Sequence, residues 1–110
     1  MTDEPDPTAS KGYQLPDTAE VELEDVLGFV ADRDGVQRAL HVHGKFVEAF
    51  GLLAFQPGSG TTRPKLTGQR VRWWPVFKWI VIYDPTSSPI SILRVIHGAR
   101  ELDRLFGEEE

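Results

Sequence analysis

The spacing of apolar positions changes rhythm along the chain, and each rhythm predicts an element. Tyr13-Gln14-Leu15 alternates apolar and polar, which predicts a short first strand. The spacing then lengthens. Leu23, Val26, Leu27, Val30 and Ala31 fall at i, i+3, i+4, i+7 and i+8, one face of a helix. Asp17-Thr18-Ala19-Glu20 ahead of them fits a capping box, with an acceptor at the cap and a glutamate three residues on. The acids near this start also suit the positive end of the helix dipole. Asp34-Gly35 is the break. A second stripe, Val36, Leu40, His43, Val47, Phe50 and Ala54, is widened by Ala39, Phe46 and Leu53 and predicts a helix over 36–55. Pro57-Gly58-Ser59-Gly60 ends it. Two amphipathic helices joined by a short turn make an α-hairpin with one shared apolar face.

Residues 61–68 read as a polar loop. After it the period falls to two. Arg70, Arg72 and Trp74 alternate with Val71 and Trp73 over 69–75. Residues 78–84 hold an almost unbroken apolar run, Trp79-Ile80-Val81-Ile82-Tyr83, which predicts a central strand covered on both faces. Two prolines and two serines at 84–89 make a turn, and 90–97 is the next strand. Three strands with short connections predict an antiparallel meander, and the helix hairpin has to cover one of its faces. Leu102, Leu105 and Phe106 then return to helical spacing, a terminal turn packing back on the sheet. The expected fold is therefore α+β, in the order β-α-α-β-β-β with a short C-terminal helical turn. The expected organisation is one domain over 13–107 between two acidic tails, 1–12 and 108–110. The first tail is expected to be disordered, because it has little to bury.

Composition narrows the function. With 110 residues, 40% of them hydrophobic, the chain can bury a core, and with no cysteine it forms neither disulfides nor thiolate metal sites. No apolar run approaches the about 18–20 residues a membrane span needs, so no membrane partner is expected. Residues 1–10 are acidic and lack an apolar stretch, which argues against a signal peptide. The net charge of −5 argues against a nucleic-acid binder. Its distribution changes that reading. Residues 15–35 hold seven acids against Arg33, whereas 61–100 hold seven bases (Arg63, Lys65, Arg70, Arg72, Lys78, Arg94, Arg100) against Asp84. Such a polarised chain presents a basic face to an anionic partner.

The candidate chemistry is sparse. No glycine-rich phosphate loop is present, since Gly58-Ser59-Gly60 is short and lacks a following Lys-Ser/Thr pair. His41 and His43, two apart, diverge by about 200° on a helix and cannot share a metal ion, and no metal or other cofactor is expected. His43, on the apolar stripe, reads as a core or interface histidine. Arg70 and Arg72 share a strand face with Trp74, a pattern that suits either a phosphate with a stacked base or an ordinary solvated face. Arg63 and Lys65 lie in the loop before the sheet. Arg94 falls on the face of Ile90, Ile92 and Ile96, where it needs a carboxylate, a phosphate or the surface. An ion pair with Glu22 or Asp25 and a functional role are equal readings. His97, on the other face with Leu93 and Val95, suits a general acid, or it closes the strand end; the structural reading is favoured. Arg100 caps carbonyls or binds a partner's acid.

Several stretches together resemble the RelE/ParE family of bacterial toxins. They are Phe46-Val-Glu-Ala-Phe-Gly-Leu-Leu-Ala-Phe-Gln-Pro-Gly-Ser-Gly, Arg63-Pro64, Val81-Ile82-Tyr83 and, most specific, Ile92-Leu93-Arg94-Val95-Ile96-His97-Gly98-Ala99-Arg100-Glu101-Leu102. Glu101 stands where the family typically has aspartate. The resemblance spans about 13–106 and implies a growth-arresting, cytoplasmic toxin of a type II toxin–antitoxin, or plasmid-stabilisation, system. A cognate ParD-like antitoxin would wrap its C-terminal segment over it, and operator DNA would be reached only through that antitoxin. In the RelE branch the implied activity is a metal-independent, ribosome-dependent endoribonuclease acting on mRNA. His97, Arg94, Arg72, Arg70 and Lys65 would then form its active site. In the ParE branch the implied target is DNA gyrase, with no catalytic set. Arg63, Arg70, Arg72, Trp74, Arg94, His97 and Arg100 would then bind antitoxin or target. No tyrosine follows His97 and the chain continues through Arg100-Glu101-Leu102, as in ParE-like members, so the gyrase reading is favoured. A detoxified co-repressor acting with its antitoxin is the third reading.

Overall fold

The computed structural model describes residues 12–62 and 71–98. Strand β1 (Tyr13–Gln14) leads into helices α1 (Asp17–Asp34) and α2 (Val36–Phe55). A 3-10 turn (Pro57–Ser59) follows, then β2 (Thr61–Thr62), β3 (Arg72–Val76), β4 (Trp79–Asp84) and β5 (Ile90–His97). The five strands form one sheet in the order β1-β5-β4-β3-β2. β1 runs parallel to β5 and the other pairs are antiparallel. The α+β reading, the helix hairpin and the three-strand meander are as the sequence predicts. The terminal helical turn, the C-terminal acidic tail and all of the first tail but Gly12 lie outside the described residues.

Three local expectations are corrected. The capping box does not form. Pro16, which has no side-chain acceptor, is the cap residue, and its carbonyl accepts the Glu20 N–H at 3.0 Å. Asp17 is thus already helical, and with Glu20 it still places negative charge in the first turn. Secondly, α2 buries Phe46, Phe50 and Leu53 as expected, but the rest of its buried arc is shifted. Val42, Phe46, Ala49, Phe50 and Leu53 are buried, while Val36 and Leu40 are 65% and 62% exposed and His43 is exposed. The helix is apolar around much more than one stripe, and the arc centred on Phe46 and Phe50 extends to Val42 and Ala49 rather than to Val36 and Leu40. Thirdly, β2 lies in what reads as a loop. Thr61 and Thr62 pair with Trp73 and Arg72 because the turn before them is tied to the sheet.

That tie is made by Tyr83, which is fully buried. Its hydroxyl donates to the Pro57 carbonyl at 2.7 Å and accepts the Gly60 N–H at 2.8 Å. A Cβ on Gly60 would sit 2.5 Å from that hydroxyl and 2.8 Å from the Trp73 carbonyl oxygen, so only glycine fits. Around Tyr83 the core is aromatic. Phe46 packs on Trp79 and on Phe50 with ring centroids 6.1 Å apart in both cases, and Tyr13 meets Phe50 at 5.2 Å. β4 is buried on both faces, as a central strand should be. Trp79, Val81 and Tyr83 face the helices, and Ile80 joins Trp73 and Ile96 in a second cluster.

A bulge in β5 breaks the alternation on which the strand's faces were assigned. Ile82 pairs with Arg94 and Tyr83 with Ile92, which leaves Leu93 as an extra residue. Ile90, Ile92 and Val95 therefore join the helix-side core, and Ile96 belongs to the other cluster. Among the described residues no helix is long and apolar enough to cross a membrane.

Candidate functional site at the outer edge of β5

β1 pairs only with Ile90 and Ser91, so beyond Ser91 the outer edge of β5 is left to α1. Edge strands present unpaired N–H and C=O groups that need cover. Glu22, on the first half of α1, provides it. Its Oε1 accepts the Val95 backbone N–H at 2.8 Å. The same carboxylate receives Arg94 in a fork: Nε lies 2.9 Å from Oε2 and 3.1 Å from Oε1, and Nη2 lies 2.7 Å from Oε2. Of the two readings of Arg94, the intramolecular pair does form, and Glu22 rather than Asp25 makes it.

The clamp opens onto a groove of about 350 Å³ lined by Glu22, Asp25, Val26, Phe29, Trp79, Arg94, Val95, Ile96 and His97. Its floor is apolar. Phe29 stands at the rim, 52% exposed, with the Arg33 guanidinium 5.7 Å from its ring centroid. His97 is half-buried and pairs across the ladder with Trp79. At the strand end the Gly98 N–H donates to the Lys78 carbonyl at 2.8 Å. A Cβ at Gly98 would approach that same oxygen to 3.0 Å and Ile80 Cγ1 to 3.2 Å.

The remaining candidates are dispersed. Arg72 lies on β3, separated from β5 by β4, and its Nη1 donates to the carbonyls of Gly60 at 2.7 Å and Gly58 at 3.3 Å. Its charge stitches the turn that Tyr83 also holds. Trp74 is half-buried against the core and lines a different groove, between α2 and the β3–β4 turn. Arg63, Lys65, Arg70 and Arg100 lie outside the described residues. Among the described residues no group of three or more His, Cys, Asp or Glu could hold a metal ion.

The family model described as "ParE toxin of type II toxin-antitoxin system, parDE" matches residues 13–102. The chain belongs to the ParE toxin family. Among solved structures, one titled "Chromosomal ParDE TA system from P. aeruginosa" aligns with a TM-score of 0.66 at 20% identity, covering 77% of this chain and 92% of that chain. At that identity the likeness shows the fold. A comparison with curated proteins gave no match.

In this ParE-family chain the described charges of the groove balance, with Glu22 and Asp25 facing Arg94 and, at the Phe29 rim, Arg33. Glu22 and Asp25 bring two carboxylates to Arg94 and His97, and Glu22 already neutralises the arginine. The site therefore offers an apolar floor, an aromatic rim and an ordered ion pair, a surface suited to a protein side chain. The first-helix acid that holds Arg94 is one of the two the sequence offered. Sequence reading passed over Phe29, whose position off the buried α1 stripe was the signal for an exposed aromatic.

Proposed function

We propose that this ParE-family toxin arrests growth by inhibiting DNA gyrase through protein–protein contact, and that a cognate ParD-like antitoxin neutralises it. The observation that carries the target is the ion pair built into the groove at His97. A scissile phosphate entering it would meet the Glu22 and Asp25 carboxylates beside an arginine whose charge is spent on Glu22. That favours a protein partner over an RNA backbone. The family match supports the toxin role and the antitoxin. The working contact set is Arg94 and His97 at this groove and Trp74 at the other, with Arg63, Arg70, Arg72 and Arg100 as the basic residues that complete it. The toxin domain is taken as 13–107, and a cytoplasmic location fits a gyrase target. Purified toxin should stop gyrase from supercoiling relaxed plasmid, and added antitoxin should restore it. Untouched supercoiling at large molar excess, together with cleavage of ribosome-bound message, would replace this reading with the ribonuclease one.

A further inference from the structure

A second groove, of about 410 Å³, runs between α2 and the turn joining β3 to β4, lined by Lys45, Glu48, Ala49, Leu52, Trp74, Pro75, Val76 and Phe77. Its most unusual feature is Phe77. Val76 pairs with Trp79, so Phe77-Lys78 is a two-residue hairpin turn. Phe77 has φ +55°, a left-handed position normally given to glycine, asparagine or aspartate. A bulky side chain there strains the backbone by about 1–2 kcal/mol. The core receives little in return, since the ring remains 51% exposed. Leu52, on the adjoining face of α2, is 37% exposed. A strained, half-exposed aromatic beside an apolar groove is explained when a partner completes its burial.

The rim indicates the partner's chemistry. The Arg38 guanidinium lies 5.3 Å from the Phe77 ring centroid and the His41 ring 6.2 Å from it. Lys78 is the other turn residue, with its Nζ 5.9 Å from the Trp79 ring centroid. Lys45 also lines the groove, 3.6 Å from Glu48 on the next turn of α2. Arg38, Lys78 and His41 thus stand beside the Phe77 turn, and among the described residues that line the groove Lys45 and Glu48 are the charged ones. We propose that the α2–Phe77 groove is the docking surface for an acidic segment of the antitoxin, with an apolar or aromatic anchor seated between Phe77, Leu52 and Trp74 and carboxylates reaching Arg38 and Lys45. This rests on the antitoxin being the partner, as proposed above. It adds a surface separate from the His97 groove, where Glu22 already holds Arg94.

The test is the Kd of the full-length toxin for the antitoxin encoded beside it, at low and high salt. The variants are Phe77→Gly and the double variant Arg38→Glu/Lys45→Glu. Glycine suits a positive φ, so Phe77→Gly removes the anchor while leaving the turn able to form. The expected result is binding weakened by roughly tenfold or more in Phe77→Gly. The double variant should also weaken, by a margin that shrinks as salt rises. Parental affinity in both variants overturns the groove assignment and leaves the antitoxin reading intact. No binding by the parent overturns that reading and this inference with it. If Phe77→Gly turns a dimer into a monomer with antitoxin affinity unchanged, the groove is a seam between two copies and the assignment also fails.

Discussion

Replacing Tyr83 by phenylalanine deletes one oxygen from the centre of the molecule. The ring fits as before, so no cavity forms. What changes is hydrogen bonding: the Gly60 N–H and the Pro57 carbonyl lose their partner together. Gly60 is buried, so its donor has no water to turn to, and an orphaned buried donor costs about 1–3 kcal/mol. Pro57 is only half-buried, and its carbonyl recovers part of its loss from solvent. The expected destabilisation is roughly 2–4 kcal/mol, a large share of the about 5–15 kcal/mol that holds a typical domain together. Urea unfolding followed by tryptophan fluorescence measures it, as a lower midpoint with an unchanged slope. The same hydroxyl adds a pH signature. Burial pushes the Tyr83 pKa above its ordinary value, against the smaller lowering effects of the Gly60 bond and the Arg72 charge. A raised pKa means the folded state holds the proton longer than the unfolded chain does. Its stabilisation is therefore complete below about pH 10 and is lost as pH rises through the folded pKa. Tyr13 is raised by burial too, so the variant should keep part of the alkaline decline and lose the rest. A change under about 0.5 kcal/mol at neutral pH, with the alkaline decline intact, would refute the role given to this hydroxyl.

Other substitutions test the remaining joints. Gly60→Ala forces a methyl group against the Tyr83 hydroxyl and the Trp73 carbonyl oxygen, and thermal unfolding should register a loss of about 2 kcal/mol or more. Glu22→Ala removes the fork on Arg94 and the acceptor for the Val95 edge N–H. The fork is exposed and the Val95 bond only part-buried, so urea unfolding should show about 1–2 kcal/mol lost, while hydrogen exchange at Val95 should quicken clearly. Phe77→Gly exchanges a strained backbone for a freer unfolded chain, and its stability should stay within about 1 kcal/mol of the parent.

The elements were legible because their apolar spacing is regular. Residues 90–97 read as a strand and form β5 to the residue, and 36–55 form α2. The faces were less legible. α2 carries more apolar surface than the sheet can cover, and which arc wins depends on the shapes of Phe46 and Phe50 against Trp79. In β5 a single extra residue, Leu93, moved Ile90 and Ile92 to the opposite side from Ile96, and no local pattern marks a bulge. The clamp on Arg94 could be anticipated, since an arginine on an apolar strand needs an acid and the first helix supplies several. The tasks of Arg72 and Phe77 could not. One is drawn to carbonyls that only the folded turn brings near, and the other occupies a turn position that sequence alone would reserve for glycine or asparagine.

The most direct test of the central claim is to induce the toxin without its antitoxin and follow the rates of DNA and protein synthesis separately in the same culture. A gyrase inhibitor predicts that DNA synthesis falls first while translation continues, and that co-expressed antitoxin restores growth. Protein synthesis failing first, with fragmented messages, would contradict it and move attention to His97 as a catalytic group.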